Sequence, residues 1–236
     1  MMMMSAASFS SYYSSSASVG IIKGLTYTIA DRLYVSLTNK VQTNVRTLMQ
    51  TRGPSFAFSL EKLSREPSVE EVCRVIDEYY NSEGKIVVGM GENDEGITFA
   101  GVGEPLLRVR ELEEIVDKVR EKRHGAVMRL ITNGVHDVSV AERAAKLKLD
   151  KYTVALTSAD PVQWKRLTYA DDTSDERQHG ADFTLSEWCA FVDALTQSGR
   201  EVEVTTPVAP GVDVNLAREL AMSLGAVEFR TREYFA

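Results

Sequence analysis

Cysteine and histidine are scarce in this chain. Two cysteines (Cys73, Cys189) and three histidines (His124, His136, His179) are scattered through 236 residues, with none clustered. That scatter excludes a disulfide framework and a spaced zinc-ligand pattern, and it suits an intracellular, reducing compartment. Positive charge is also short. The formal net charge is −7, whereas nucleic-acid binders usually carry a basic face, so direct nucleic-acid binding is not expected. No apolar run approaches the length that spans a bilayer, so no membrane partner is expected either. The first 20 residues lack any charged side chain, and the first basic residue is Lys23.

What is present reads as a globular domain. Apolar residues make up 44% and charged residues 26%, a balance that can bury a real core. The length suits one full-sized domain or two small ones, and neither an internal repeat nor a second domain is visible. Residues 1–24 are set apart as a disordered extension, rich in serine and alanine and too poor in branched apolar residues to pack. Freedom from acids and abundant serine also fit an organelle transit peptide, although arginine is missing. A plastid or mitochondrial transit peptide and a plain disordered tail with a cytoplasmic address are the two readings. A secretory signal is not expected, because no continuous apolar core follows a basic start.

Residues 25–236 read as alternating strands and helices. Strands are expected at 27–29, 33–38, 86–88, 97–99, 127–131, 152–157, 201–205 and 227–230. A helix is expected over about 69–81, with Ser68 as its cap and acids in its first turn. After Arg108, the positions of Leu112, Ile115, Val116 and Val119 mark a helical stripe, and further helices are expected at 141–149, 183–198 and 216–224. Strands alternating with helices indicate a parallel sheet, here with about six strand–helix steps. The acidic, glycine-rich run at 89–96 reads as a solvated loop, since it lacks the ordered oxygen spacing of a calcium site. The polar run at 170–182, with Asp171, Asp172, Asp175 and His179, matches no ligand set and reads as a loop.

The stretch ITFAGVGEPLLR (97–108) is the one the rest seems arranged to serve: a short strand, a turn through Gly101 and Gly103, and Pro105 leading into a helix. Two residues without Cβ let a ligand approach the backbone closely, and in a parallel barrel such a corner lies at the strand ends that bind substrates. Upstream, 33–48 reads LYVSLTNKVQTNVRTL. Together these resemble the pattern LYxxLTNxC-x3-C-x2-C followed by G-x-GEPLLR of the radical S-adenosylmethionine (radical SAM) superfamily, and within it the TatD-associated radical SAM proteins. The later segments LITNG (130–134), VALTSADPVQWKRL (154–167) and PGVDVNLARELAMSLGAVEFRTREYF (210–235) agree. The resemblance covers roughly 25–236 and implies an α/β fold, a partial (β/α)6 barrel. It implies cofactor contacts from Gly101, Gly103, Glu104 and Pro105 to the amino group of S-adenosylmethionine, with polar contacts from Asn133 and Ser158. It also implies a TatD-like nuclease as partner.

The chain departs from the family where the family holds its iron–sulfur cluster. The three cysteine positions carry Val41, Val45 and Leu48, and aliphatic carbon has no lone pair with which to ligate iron. A [4Fe–4S] cluster is therefore expected to be absent. The spacing i, i+4, i+7 would put the three on one helical face, where they would form an apolar stripe filling the barrel mouth. Cys73 and Cys189 fall on apolar helix faces and read as buried structural thiols. His136, just beyond the TNG turn, lies at the strand end that faces a pocket.

Without iron the methionine end of S-adenosylmethionine loses an anchor, and reductive cleavage loses its electron source. Three functions remain open. One is a degenerate member whose mouth serves binding or regulation, partnered with a TatD-like nuclease. A second is an enzyme of changed, non-radical chemistry, in which Arg46 and Arg52 hold an anionic ligand by bidentate hydrogen bonds. The third is an active radical SAM enzyme with cluster ligands supplied elsewhere.

Overall fold

In the computed structural model, which describes residues 22–29, 31–56, 60–82, 88–89, 94–170 and 183–236, the chain starts with a hairpin. Strands β1 (Thr26–Ile29) and β2 (Arg32–Val35) pair antiparallel across a turn in which Asp31 has φ of 59°, a conformation that aspartate tolerates better than most residues. The sequence reading expected both strands but not the reversal. The extension at 1–21, the expected strand at 86–87, residues 90–93 of the acidic loop and the polar run at 171–182 lie outside the described residues.

From β2 onward each strand runs parallel to the one before it. These are β3 (Ile97–Phe99), β4 (Met128–Thr132), β5 (Lys151–Ala155), β6 (Glu201–Pro207) and β7 (Glu228–Arg232). The sheet follows chain order without a swap. Helices fill the crossovers: α1 (Val69–Ser82), α2 (Val109–Lys122), α3 (Val138–Ala144), α4 (Pro161–Thr168), α5 (Leu185–Gln197) and α6 (Val214–Ser223). Six parallel strands in sequential order, each crossover returning over the same face, make the partial (β/α)6 barrel. No helix among the described residues is long and apolar enough to cross a membrane.

Side-chain alternation divides each strand. One set, including Leu33, Phe99, Leu130, Tyr152, Val204 and Phe229, is buried in the apolar core under the helices. Contacts settle its direction: the Tyr152 hydroxyl donates to the Ala144 carbonyl of α3 (2.5 Å), and Arg218 of α6 lies over the Phe229 ring. The alternate set, with Thr98, Arg129, Glu203 and Arg230 among it, therefore faces the barrel interior and is polar. Glu203 there accepts two hydrogen bonds from Arg230, at 3.0 and 2.6 Å, and pairs with Lys151 at 2.8 Å.

The helices start where local chemistry directs. Ser68 and Glu71 bond each other's backbone N–H groups ahead of α1, and Thr184 and Glu187 do the same at α5, the reciprocal capping box. Helix α4 was not expected from sequence, yet Asp160 caps it by accepting from the Gln163 N–H, and Pro161 opens it, a favoured first position. Helix α3 sits earlier than expected and ends at Ala144. Beyond it Leu147 and Leu149 are buried at alternate positions, the period of extended chain rather than helix. Asp94 corrects the reading of its loop as solvated. It is buried and accepts from the Tyr80 hydroxyl and from the backbone of Gly89 and Gly96.

Candidate functional site

The loops that leave the carboxyl ends of β2, β3 and β4 build one end of the barrel together. After β2, residues 36–40 run beside the loop after β3. The Ala100 N–H donates to the Val35 carbonyl (3.0 Å), Gly103 to Thr38 (3.2 Å) and Glu104 to Lys40 (2.8 Å). Both glycines are required by this approach. A Cβ on Gly101 would stand 2.3 Å from the Ser36 hydroxyl, and one on Gly103 would stand 2.5 Å from the carbonyl oxygens of Thr38 and Lys40. What comes close to the glycines is thus the chain itself: the Ser36 side chain at Gly101 and the backbone of residues 38–40 at Gly103.

Glu104 is the centre of the mouth. Its side chain is 2% exposed. One carboxylate oxygen caps the turn Pro105–Arg108 by accepting from the Leu106 N–H (3.1 Å), and the other accepts from the Asn133 N–H (2.8 Å). Asn133, at the end of β4, exchanges side-chain hydrogen bonds with Gln42: its amide donates to Gln42 Oε1 (2.9 Å), and Gln42 Nε2 lies 3.3 Å from its Oδ1. Gln42 also donates to the Val135 carbonyl (2.6 Å). His136 completes the group, with Nε2 at 3.1 Å from Gln42 Nε2 and 3.4 Å from the Glu104 carboxylate. Which of the two it engages depends on its tautomer. Four polar side chains from three loops thus satisfy one another, as groups removed from water must.

Among the expected cofactor contacts, the structure joins Glu104 to Asn133 and keeps Gly101, Gly103 and Pro105 in the same corner. Ser158 is not hydrogen-bonded to them: its hydroxyl donates to Gln163 (2.7 Å) and accepts from the Asp160 N–H (3.0 Å) at the start of α4. Gln42 was not singled out as a mouth ligand from sequence. Its only local signal was a polar residue next to a cluster position.

The segment carrying Val41, Val45 and Leu48 is not helical, which corrects the expectation of a helical stripe. It runs through a turn with Asn44 at φ of 60°, makes an isolated bridge between Val45 and Tyr169, and turns again toward a 3₁₀ turn at Gln50–Arg52. Asparagine and threonine favour turns over helix interiors. Val45 is 6% exposed and belongs to the core, while Val41 and Leu48 are half-buried. Cys73 and Cys189 are half-buried on α1 and α5, packed against the core rather than enclosed in it, and burial raises both thiols above their ordinary range.

The two arginines of the expected anion site are each bound to a different backbone carbonyl. Arg46 Nε donates to the Tyr169 carbonyl (2.9 Å). Arg52 Nε donates to the Glu233 carbonyl (2.8 Å), and its guanidinium lies over the rings of Phe56 and Phe235.

No family model matches the chain. It is 24% identical over 159 residues to the FeMo cofactor biosynthesis protein NifB of Chlorobaculum tepidum, covering 62% of this chain and 36% of that protein. Among solved structures it is similar to Streptococcus suis SuiB bound to S-adenosylmethionine, with a TM-score of 0.59, 12% identity, and coverage of 90% of this chain and 41% of that one. The FeFe-hydrogenase maturase HydG from Carboxydothermus hydrogenoformans is also similar, with a TM-score of 0.54, 15% identity, and coverage of 86% and 44%. The chain therefore spans about a third of NifB and less than half of SuiB and HydG. The fold, an α/β sheet of mostly parallel strands, resembles that of these solved structures.

Proposed function

We propose that this chain is a radical SAM-fold protein without the [4Fe–4S] cluster, serving as a binding or regulatory partner of a TatD-like nuclease. The observation that carries the reading is the donor chemistry of the loop after β2. Thiolates hold such a cluster, and the three positions offer the branched carbon of Val41, Val45 and Leu48, of which Val45 is built into the core. The residues present do not fit the group, so no step is routed through it. The internal hydrogen bonds of Glu104, Asn133 and Ser158 support the same reading. Groups already satisfied within the fold gain little by turning to the methionine end of S-adenosylmethionine.

Anaerobic reconstitution with iron and sulfide tests this. The expected outcome is no stoichiometric cluster absorbance in the natural protein, with iron uptake appearing once Val41→Cys, Val45→Cys and Leu48→Cys are combined. A cluster in the natural protein overturns the proposal and supports an active enzyme with ligands from elsewhere. The partnership has its own measurement: a purified TatD-like nuclease should co-elute with the chain in size-exclusion chromatography, and separate elution ends that part of the reading.

A further inference from the structure

We infer that the barrel interior at the carboxyl end of β7 holds a ligand's oxyanion, a carboxylate or phosphate, on the Nε/Nη2 edge of Arg232. Arg232 lies two residues beyond Arg230 on the same strand, on the interior face. The residue as a whole is half-buried, yet its Nε and Nη2 are out of contact with solvent and have no hydrogen-bond partner among the described residues. Arg230 supplies an internal standard. The same two nitrogens of its guanidinium both bond the Glu203 carboxylate through one oxygen, Oε1, at 3.0 and 2.6 Å, while the other oxygen goes to Lys151. That edge presents two parallel N–H groups, whose natural complement is an oxyanion with two oxygens.

The surroundings add positive charge, with the Glu233 carboxylate acting on Arg52. Arg52 is brought alongside by the chain's last residues: the Phe235 N–H donates to the Arg52 carbonyl (2.8 Å), and Arg52 Nε donates to the Glu233 carbonyl (2.8 Å). Glu203 is already shared between Arg230 and Lys151, and Glu228 pairs with Lys151 at 2.5 Å. Burial, and then the like charges of Arg52 and Arg230, push the Arg232 guanidinium down to about 10. A buried guanidinium beside two others is costly without a counter-charge. Two other interior groups, Thr98 Oγ1 on β3 and Arg129 Nε on β4, are also buried without a partner among the described residues, each with a single unmet atom. Arg232 differs from these in having two unmet nitrogens on one edge, while the mouth group around Glu104 is satisfied. The inference deepens the binding role proposed above by naming the ligand's chemistry, and it stands whether or not a cluster forms.

The test uses the full chain and two probes, inorganic phosphate and succinate, at fixed ionic strength with chloride as the control anion. One probe or both should raise the melting temperature in a saturable way, since a ligand that binds only the folded state stabilises it. Success with phosphate alone assigns a phosphate ester, and success with succinate alone assigns a carboxylate. Arg232→Met should weaken the response at least about tenfold, the loss expected when a charge-assisted bidentate pair is removed. Arg232→Lys should recover part of it, and Arg110→Gln, a change of equal charge at an exposed position on α2, should leave it intact. In chloride alone Arg232→Met should melt at or above the parent, because an uncompensated charge has been removed. A parent unmoved by either probe up to about 20 mM overturns the inference. So does an Arg232→Met protein less stable than the parent in chloride, which would make the arginine a support of the fold. Neither result bears on the cluster, which the reconstitution reads separately.

Discussion

Gly103 and Glu203 show how single residues hold this barrel together. At Gly103 the neighbours are backbone oxygens of Thr38 and Lys40, which cannot swing aside as a side chain can. Gly103→Ala should therefore pry the two loops apart and cost about 1–3 kcal/mol, the range for inserting a methyl into packed structure. Urea titration measures it, and an unchanged midpoint would mean that the loops do not lock. Glu203 works through charge. Burial alone would raise its carboxyl, but hydrogen bonds from Lys151 and Arg230 outweigh that and hold it below the ordinary carboxylate range. A lowered folded pKa gives stability that is present above the unfolded value, about 4.3, and is lost as pH falls through the folded one. Glu203→Gln should cost about 1–3 kcal/mol near neutral pH, since two cations lose their partner. It should also flatten the acid limb of the melting curve below about pH 5. Melts of both proteins across that range decide it; an acid limb as steep as the parent's would contradict the assignment.

At the scale of elements, caps and apolar stripes mark boundaries well, and spacing without them misleads. Thr184 and Glu187 announce α5, and the structure places the reciprocal bonds there. Thr184→Ala should cost about 0.5–2 kcal/mol, toward the lower part of that range because Trp188, Phe191, Val192 and Leu195 anchor the helix in the core. A denaturation midpoint shifted by that amount is the check. Residues 41–48 show the opposite case. Their apolar positions repeat as on a helix, but the turn at Asn44 and the bridge to Tyr169 win. Three apolar residues in eight do not outweigh the cost of nucleating a short helix in a polar, turn-forming run. Helix α4 was missed for a related reason. Asp160 and Pro161 are a sound start signal, yet the helix has eight residues and a weak stripe, with Trp164 and Thr168 its buried side chains.

On the scale of the whole molecule, the sequence by itself determined the α/β class and the parallel order, and it put aliphatic side chains at 41, 45 and 48. Periodicity and caps are written within a dozen residues, and the chemistry of a valine does not depend on where it lies. The resemblance of GVGEP and TNG to the radical SAM pattern also marked Glu104 and Asn133. Only the tertiary structure decided what those residues do. Gln42, Glu104 and the pair Asn133 and His136 meet from three loops far apart in the chain. Arg232 is likewise unremarkable in the run EFRTREYF until the sheet sets it beside Arg52 and Arg230, inside the barrel and without a carboxylate of its own. Hydrogen bonding and charge pairing act over a few ångströms of space, and the fold chooses which residues share that space.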